Sequence, residues 1–220
     1  MSGHGHIIGI DFDNTIVDYD DLIYGIALEK GLIDCGTRKS KRCIRDTIRK
    51  LPNGEVEWQK IQAAIYGPKM NGARLIDGVS EFFNFCKARG FLTYIISHKT
   101  QFAGYDETGS NLRTAALGWM RKKHFFENDG LGLVEDQVFF ESCRAAKIRR
   151  VEVLGCTYFI DDLEETFLEN FFPAACRKIL YAPHETMVPG CEVTVAASWK
   201  EIQALFSLGL TVSTSNAHES

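Results

Sequence analysis

No apolar run in this 220-residue chain approaches the roughly 18 residues that a membrane-spanning helix requires. The opening segment, Met-Ser-Gly-His-Gly-His, lacks a basic stretch followed by an apolar one, so no secretion signal is expected. Cys-x-x-Cys spacing is absent among the seven cysteines, at positions 35, 43, 86, 143, 156, 176 and 191, which leaves a zinc site without support. Odd in number and scattered, they read as reduced thiols in a cytoplasmic protein. Neither sign of charge dominates, with 25 basic residues against 29 acidic ones. A net charge of -4 gives no global attraction to nucleic acid or to an acidic membrane surface. Internal repeats and low-complexity segments are missing. What remains is ordinary globular material, 45% hydrophobic and 25% charged, long enough for one substantial domain or for a domain with an insert. The pair His4 and His6 reads as part of a loose terminus rather than a metal site, and residues 213–220, small and polar, as a frayed tail.

Strand and helix patterns alternate through most of the chain. Strands are expected at residues 7–12, 92–97, 138–140, 157–160, 178–182 and 192–195, where short apolar runs are bounded by turn residues. Helical spacing marks residues 78–89, with Val79, Phe82, Phe83 and Cys86 in phase and Gly90 as a stop. Helices are also expected over 111–124 and 141–154, and Ser198-Trp-Lys-Glu201 fits a capping box that opens a last one. Strand, helix, strand in repetition implies crossover units. The fold class is therefore α/β: a Rossmann-like three-layer α/β/α core with a mostly parallel sheet. Residues 18–72 break the alternation with three helix-like segments, at about 20–32, 40–51 and 55–66, punctuated by Gly36, Pro52-Asn53-Gly54 and Gly67-Pro68. They read as a small all-helical cap inserted after the first strand, between core segments 1–17 and 73–212, and lying over the carboxyl edge of the sheet.

The first strand ends in an unusual way. Ile7-Ile-Gly-Ile runs into Asp11-Phe-Asp13-Asn-Thr15, two carboxylates at the end of what reads as a buried strand. Burying charge is costly unless it is paired, and two carboxylates are most simply paired by a hard divalent cation. The strand at 157–160 likewise runs into Asp161-Asp162. In open parallel sheets ligands bind beyond the carboxyl ends of the strands. Asp11, Asp13, Ser97, Asp161 and Asp162 all fall at such ends.

Asp11-Phe-Asp13-Asn-Thr15 resembles the first motif, Asp-x-Asp-x-Thr, of the haloacid dehalogenase (HAD) superfamily. Ser97 at the end of a strand, Lys147 near the start of a helix and Asp161-Asp162 after an apolar strand resemble its other three motifs, in the same order. The likeness spans residues 5–206, and the helical insert is similar to the family's C1-type cap. The resemblance implies a magnesium-dependent phosphatase that works through an aspartyl-phosphate, acting on a small phosphorylated metabolite such as a sugar phosphate, a nucleotide or a phosphorylated acid. A phosphomutase or phosphotransferase, or a non-catalytic binding protein of the same fold, are the other readings. Asp11 takes the part of nucleophile and Asp13 that of general acid and base. Ser97 and Lys147 stabilise phosphoryl charge. Arg144 or Arg149 would take the part of Lys147 if the helix starts elsewhere. Mg2+ would be held by Asp11, the Asp13 carbonyl and Asp161, with Asp162 beside them.

Two features bear on the substrate. Residues 38–50 carry Arg38, Lys39, Lys41, Arg42, Arg45, Arg49 and Lys50 against one acid, Asp46. Arg42 and Arg45, at helical spacing, are candidates for a second anionic group on the substrate. Ser97 is followed by His98-Lys99, where the family often has small residues; both are candidate contacts to the phosphoryl or leaving group, as is Thr15 of the first motif. A cap of this size argues against a polymeric nucleic-acid substrate. No membrane partner is expected, and the pattern specifies no oligomeric state.

Overall fold

In the computed structural model, described for residues 5–106, 108–183 and 192–207, six parallel strands form one sheet. The strands are β1 (Ile7–Ile10), β4 (Leu92–His98), β5 (Val138–Glu141), β6 (Tyr158–Asp161), β7 (Arg177–Tyr181) and β8 (Thr194–Ala196). Their spatial order is β5-β4-β1-β6-β7-β8, so the first strand of the chain lies inside the sheet, between β4 and β6. Helices α4 (Val79–Ala88), α5 (Leu112–Lys122), α6 (Arg144–Val153), the single turn α7 (Glu164–Phe167) and α8 (Trp199–Ser207) accompany the strands.

Period-2 alternation sorts the strand residues onto two faces. Ile8, Ile10, Ile95, Tyr158, Ile160, Ile179 and Tyr181 join one buried cluster with Phe82 of α4, Trp119 of α5 and Trp199 of α8. Their neighbours Ile96, Phe159 and Leu180 join a second cluster with Ile148 and Val151 of α6 and Phe167 of α7. The sheet is thus covered on both faces, as the sequence pattern predicts, and the layers are α/β/α. Burying each of these large side chains stabilises the fold by about 1.5–3 kcal/mol. Gly9, in the middle of β1, has a steric role. A Cβ there would lie 2.7 Å from the Phe159 ring and 3.1 Å from Cys156 Sγ and Ile96 Cδ1.

Local signals explain several element ends. The Asn111 side chain accepts from the backbone N–H of Arg113 and Thr114, both at 3.1 Å, and opens α5. Gly90, at φ +66°, follows α4, and Phe91 N donates to Cys86 O at 2.9 Å across that end. The capping box expected at Ser198 forms in part. Ser198 Oγ accepts from Glu201 N at 3.2 Å, but the Glu201 carboxylate accepts from Ala197 N rather than from Ser198 N.

Between β1 and α4 the chain makes a two-stranded antiparallel ribbon, β2 (Val17–Asp18) with β3 (Arg74–Leu75), too short for periodicity to reveal. The Arg74 guanidinium meets the Asp18 carboxylate at 2.7 Å across it. From this ribbon emerges the helical segment α1 (Asp20–Glu29), α2 (Lys41–Ile48) and α3 (Gly54–Tyr66), followed by a short 3-10 turn at Met70–Gly72. Ser40 Oγ caps α2 by accepting from Cys43 N at 3.2 Å, and Asp20 Oδ1 accepts from Lys41 N at 2.7 Å, tying α1 to the start of α2. Ile23, Ile44, Ile48, Trp58 and Ile61 form the buried interior of this segment.

His6 is no loose terminal residue. Its ring packs edge-on against Phe91 and Tyr158, with centroids 4.7 and 5.1 Å away. Expectations for His4, Cys191 and the 213–220 tail fall outside the described residues.

Candidate active site

The acidic loop begins where β1 ends. Asp11 N still donates to Ile160 O at 2.8 Å, as though continuing the sheet, and the chain then turns back on itself. Ile16 N and Val17 N both donate to Phe12 O, at 3.0 and 3.1 Å, and Asn14 takes the left-handed conformation at φ 65°. Asparagine tolerates that conformation better than most side chains. Trp199 of α8 fixes the far side of the loop, its indole N–H donating to Thr15 O at 2.9 Å. The result is a rigid turn with Asp11, Asp13 and Thr15 at the carboxyl edge of the sheet.

Lys147 reaches this edge from the second turn of α6. It is 2% exposed, and its ammonium donates to Asp11 Oδ1 at 2.6 Å and to Asp161 Oδ2 at 2.7 Å. Burial opposes its charge, but the Asp11 and Asp161 carboxylates outweigh that cost and hold its pKa above the ordinary lysine value. Its helix neighbours face elsewhere: Arg144 pairs with Glu169 at 3.3 Å and Arg150 with Glu141 at 2.8 Å. Carboxylate oxygens of Asp11, Asp161 and Asp162 lie within 4.8 Å of one another. Burial, helped by the charges of Asp161 and Asp13 and resisted by Lys147, pushes Asp11 up to about 6. Burial and the nearby Asp161 and Asp11 also push Asp162 well above the usual carboxylate range. Three oxygen donors so close, with Asp11 and Asp162 both raised, form a site short of positive charge. That donor set suits a hard divalent cation. Thr15 Oγ1 donates to Asp162 Oδ1 at 3.3 Å, and Leu163 N donates to Asp161 Oδ1 at 3.0 Å.

A second group of contacts surrounds Asp13. Lys99, 4% exposed, meets Asp13 Oδ2 at 2.7 Å and Oδ1 at 3.1 Å, and the Tyr19 hydroxyl donates to the same Oδ1 at 2.5 Å. Burial, then the Asp13 charge, raises the Tyr19 phenol well above its ordinary value. The Lys99 ammonium also lies 4.6 Å over the ring of Tyr66. From the start of α2, Lys41 donates to Asn14 Oδ1 at 3.1 Å and to the Tyr66 hydroxyl at 3.0 Å. Burial opposes the Lys41 charge, but Tyr66 and the Asp162 and Asp13 carboxylates keep its pKa raised.

Of the residues singled out from sequence, Asp11, Asp13, Thr15, Lys99, Lys147, Asp161 and Asp162 come together in this network. Ser97 is buried at the end of β4, in register with Phe140 of β5, and His98 beside it is exposed. Arg42 and Arg45 lie on α2, Arg42 exposed and Arg45 paired with Asp46 at 2.9 Å. Tyr19, Lys41 and Tyr66 were not anticipated. Lys41 lies inside the basic run, but a helix with cations on every side does not disclose which one faces the sheet.

Neither a family model nor a curated protein sequence matches this chain. Solved structures do. A HAD family hydrolase from Deinococcus radiodurans, with bound phosphate and sodium, superposes with a TM-score of 0.55 at 16% identity, covering 93% of this chain and 96% of that one. The chain has the haloacid dehalogenase-like fold. The HAD-hydrolase YfnB of Bacillus subtilis, bound to magnesium, superposes with a TM-score of 0.55 at 12% identity, over 94% of this chain and 99% of that one. Protein Tyrosine Kinase A of Mycobacterium tuberculosis matches with a TM-score of 0.59 at 12% identity, also over 94% and 99%. At such identities the HAD-like likeness concerns architecture, and the presence of a protein named as a kinase among hydrolases shows why chemistry must be argued from the site.

Proposed function

We propose that this HAD-like protein is a magnesium-dependent phosphatase that hydrolyses a small phosphorylated metabolite through an aspartyl-phosphate. The observation that carries the reading is the buried bridge from Asp11 through the Lys147 ammonium to Asp161, with Asp162 alongside. A carboxylate able to act as nucleophile, a fixed cation and three oxygen donors that would suit a hard metal meet at one point on the sheet edge, which supports this reading. The bound phosphate of the Deinococcus structure and the bound magnesium of the Bacillus structure support the same chemistry here.

In this mechanism an Asp11 oxygen attacks phosphorus as the bond to the leaving oxygen breaks. Asp13 donates a proton to that oxygen, then takes one from the water that hydrolyses the aspartyl-phosphate. Inorganic phosphate leaves and the Asp11 carboxylate is restored. Tyr19 and Lys99 fix the orientation of the Asp13 carboxylate. Lys147 offsets repulsion between Asp11 and the incoming phosphate, with Ser97 at the neighbouring strand end as a further donor. Asp11, Asp161, Asp162 and the Asp13 carbonyl would hold the magnesium ion, which when bound supplies charge neutralisation to the phosphate oxygens. Residues 18–72 act as a C1-type cap over residues 1–17 and 73–212, with Lys41 contacting substrate from the cap.

The test is phosphate release from a panel of metabolite phosphates and acetyl phosphate. The reading requires turnover with magnesium, loss on chelation and recovery on adding magnesium back. Turnover that ignores chelation, or no inorganic phosphate from any compound, overturns it.

A further inference from the structure

The start of α5 carries a cation in an unfavourable place. Arg113 is the second residue of that helix, where the helix dipole disfavours positive charge, and no acid stands in the first turn to offset it. Its guanidinium makes one hydrogen bond among the described residues. Nε donates to the backbone carbonyl of Lys99 at 3.0 Å. The partner of this arginine is therefore main chain, in the loop that follows β4.

Lys99 is the first residue beyond β4. Its N–H donates to Glu141 O at 2.9 Å, continuing the pairing of β4 with β5. Arg113 takes its carbonyl, and Leu112 N donates to Gln101 O at 2.9 Å two residues further on. The start of α5 thus clamps the loop twice, and both backbone polar groups of Lys99 are engaged. A fixed backbone fixes the direction of the side chain. That side chain is buried, and its ammonium lies 4.6 Å over the ring of Tyr66 and 5.7 Å over that of Phe12, against the Asp13 carboxylate. The contacts on Asp13 are unequal. Oδ1 accepts from both the Tyr19 hydroxyl and Lys99, while Oδ2 accepts from Lys99 alone. Oδ2 is the oxygen with a lone pair left to carry a proton.

We infer that Arg113 is a positioning residue for proton transfer to the leaving group, acting through Lys99 to aim Asp13 Oδ2. The inference rests on the phosphatase reading. In that chemistry the proton on Oδ2 passes to the ester oxygen as the bond from that oxygen to phosphorus breaks. The water that later attacks the aspartyl-phosphate returns a proton to Asp13. An alkoxide needs the first proton in order to leave, whereas acetate, the leaving group of acetyl phosphate, departs as a stable anion. A residue that serves proton transfer is therefore felt with an alkyl phosphate and much less with acetyl phosphate. A residue that only supports the fold affects both alike.

The experiment measures kcat/KM of the full chain with magnesium for acetyl phosphate and for the best alkyl phosphate of a metabolite panel. This parameter covers the steps up to departure of the leaving group and leaves out hydrolysis of the aspartyl-phosphate. Near-ultraviolet circular dichroism checks the fold of each variant. Arg113→Met should lower the ratio of alkyl-phosphate to acetyl-phosphate kcat/KM by about tenfold, and Lys99→Met by about 10²-fold. Arg113→Ala takes the place of Arg113→Met if the latter does not fold. Arg113→Lys keeps a donor for the carbonyl and should bring the ratio back to within about threefold of the unaltered chain. The double variant should match Lys99→Met alone within about twofold, because Arg113 acts through Lys99. Equal losses with both substrates overturn the inference, as does a tenfold effect of Arg113→Met that persists in the Lys99→Met background. An unaltered chain that turns over acetyl phosphate but no alkyl phosphate also overturns it. No phosphate from any compound fells the phosphatase reading and the inference with it; ordinary turnover with an unmoved ratio fells the inference alone.

Discussion

The floor and the roof of the site are built on different principles. The floor is made of strand ends. Asp11 and Asp161 leave adjacent parallel strands, and Lys147 locks onto both, all three buried to within 5% exposure. The roof is made of long side chains from the helical segment: Lys41 and Tyr66 hold each other, Lys41 reaches Asn14, and Tyr19 reaches Asp13. The floor has no freedom to rearrange without breaking sheet hydrogen bonds. The roof is held by side-chain contacts and joined to the core through the two-residue strands of the β2–β3 ribbon. A reaction that needs exact placement of a nucleophile and entry of a substrate requires both kinds of support.

Substitutions can break or sharpen this contrast. Asp11→Asn removes the proposed nucleophile but keeps the shape of the floor. Turnover should fall by about 10³-fold or more with circular dichroism unchanged, and retained turnover removes Asp11 from that role. Lys147→Ala leaves two buried carboxylates without their cation and should destabilise the fold by about 3–5 kcal/mol, read from the urea midpoint. Magnesium should recover part of that loss. A floor held by packing alone would show a much smaller change.

Lys41→Met tests the roof. Partly buried and joined to two neutral acceptors, Lys41 should contribute only about 1 kcal/mol to stability, while KM for substrate rises about tenfold. A stability loss as large as that of Lys147→Ala would erase the distinction between the two halves.

Proton linkage gives a further handle on the floor. Without metal, Asp11 is raised from 3.8 to about 6 in the folded protein, so the folded state holds the extra proton. Stability that this proton contributes is present below 3.8 and is lost as pH rises to about 6. A magnesium ion held by the ionised carboxylates would restore it. The rise in Tm on adding magnesium should therefore be larger at pH 7.5 than at pH 5. An equal rise at both values would separate the metal from Asp11. The smallest effect is expected from Arg45→Ala. Its exposed pair with Asp46 should be worth less than about 1 kcal/mol, and kcat/KM should stay within about threefold; a larger loss would extend the roof along α2.

The carboxylates of the floor were legible in the sequence because each interrupts a local pattern. Two aspartates after an apolar run are conspicuous, and the same signature recurs at Asp161-Asp162. Lys147 was legible only through the order of motifs, since Arg144 and Arg149 have the same charge on the same helix. The roof gave no such signal. Lys41 is one of seven cations in thirteen residues, and Tyr19 and Tyr66 are 47 positions apart with ordinary neighbours. The ribbon that launches the helical segment has two residues per strand, below the length at which alternation can be read.

The sequence alone determined the alternation of strands and helices, hence the covered parallel sheet, and with it the carboxylates at the strand ends. These follow from local periodicity and from the cost of burying charge. Only the tertiary structure decided which cations meet which acids, that Lys99 holds Asp13, and that Lys41 rather than its neighbours reaches Asn14. Such pairings join residues up to 136 positions apart. They depend on the rotation of α2, α3 and α6 against the sheet, which is set by the packing of the core and not by any stretch of chain read by itself.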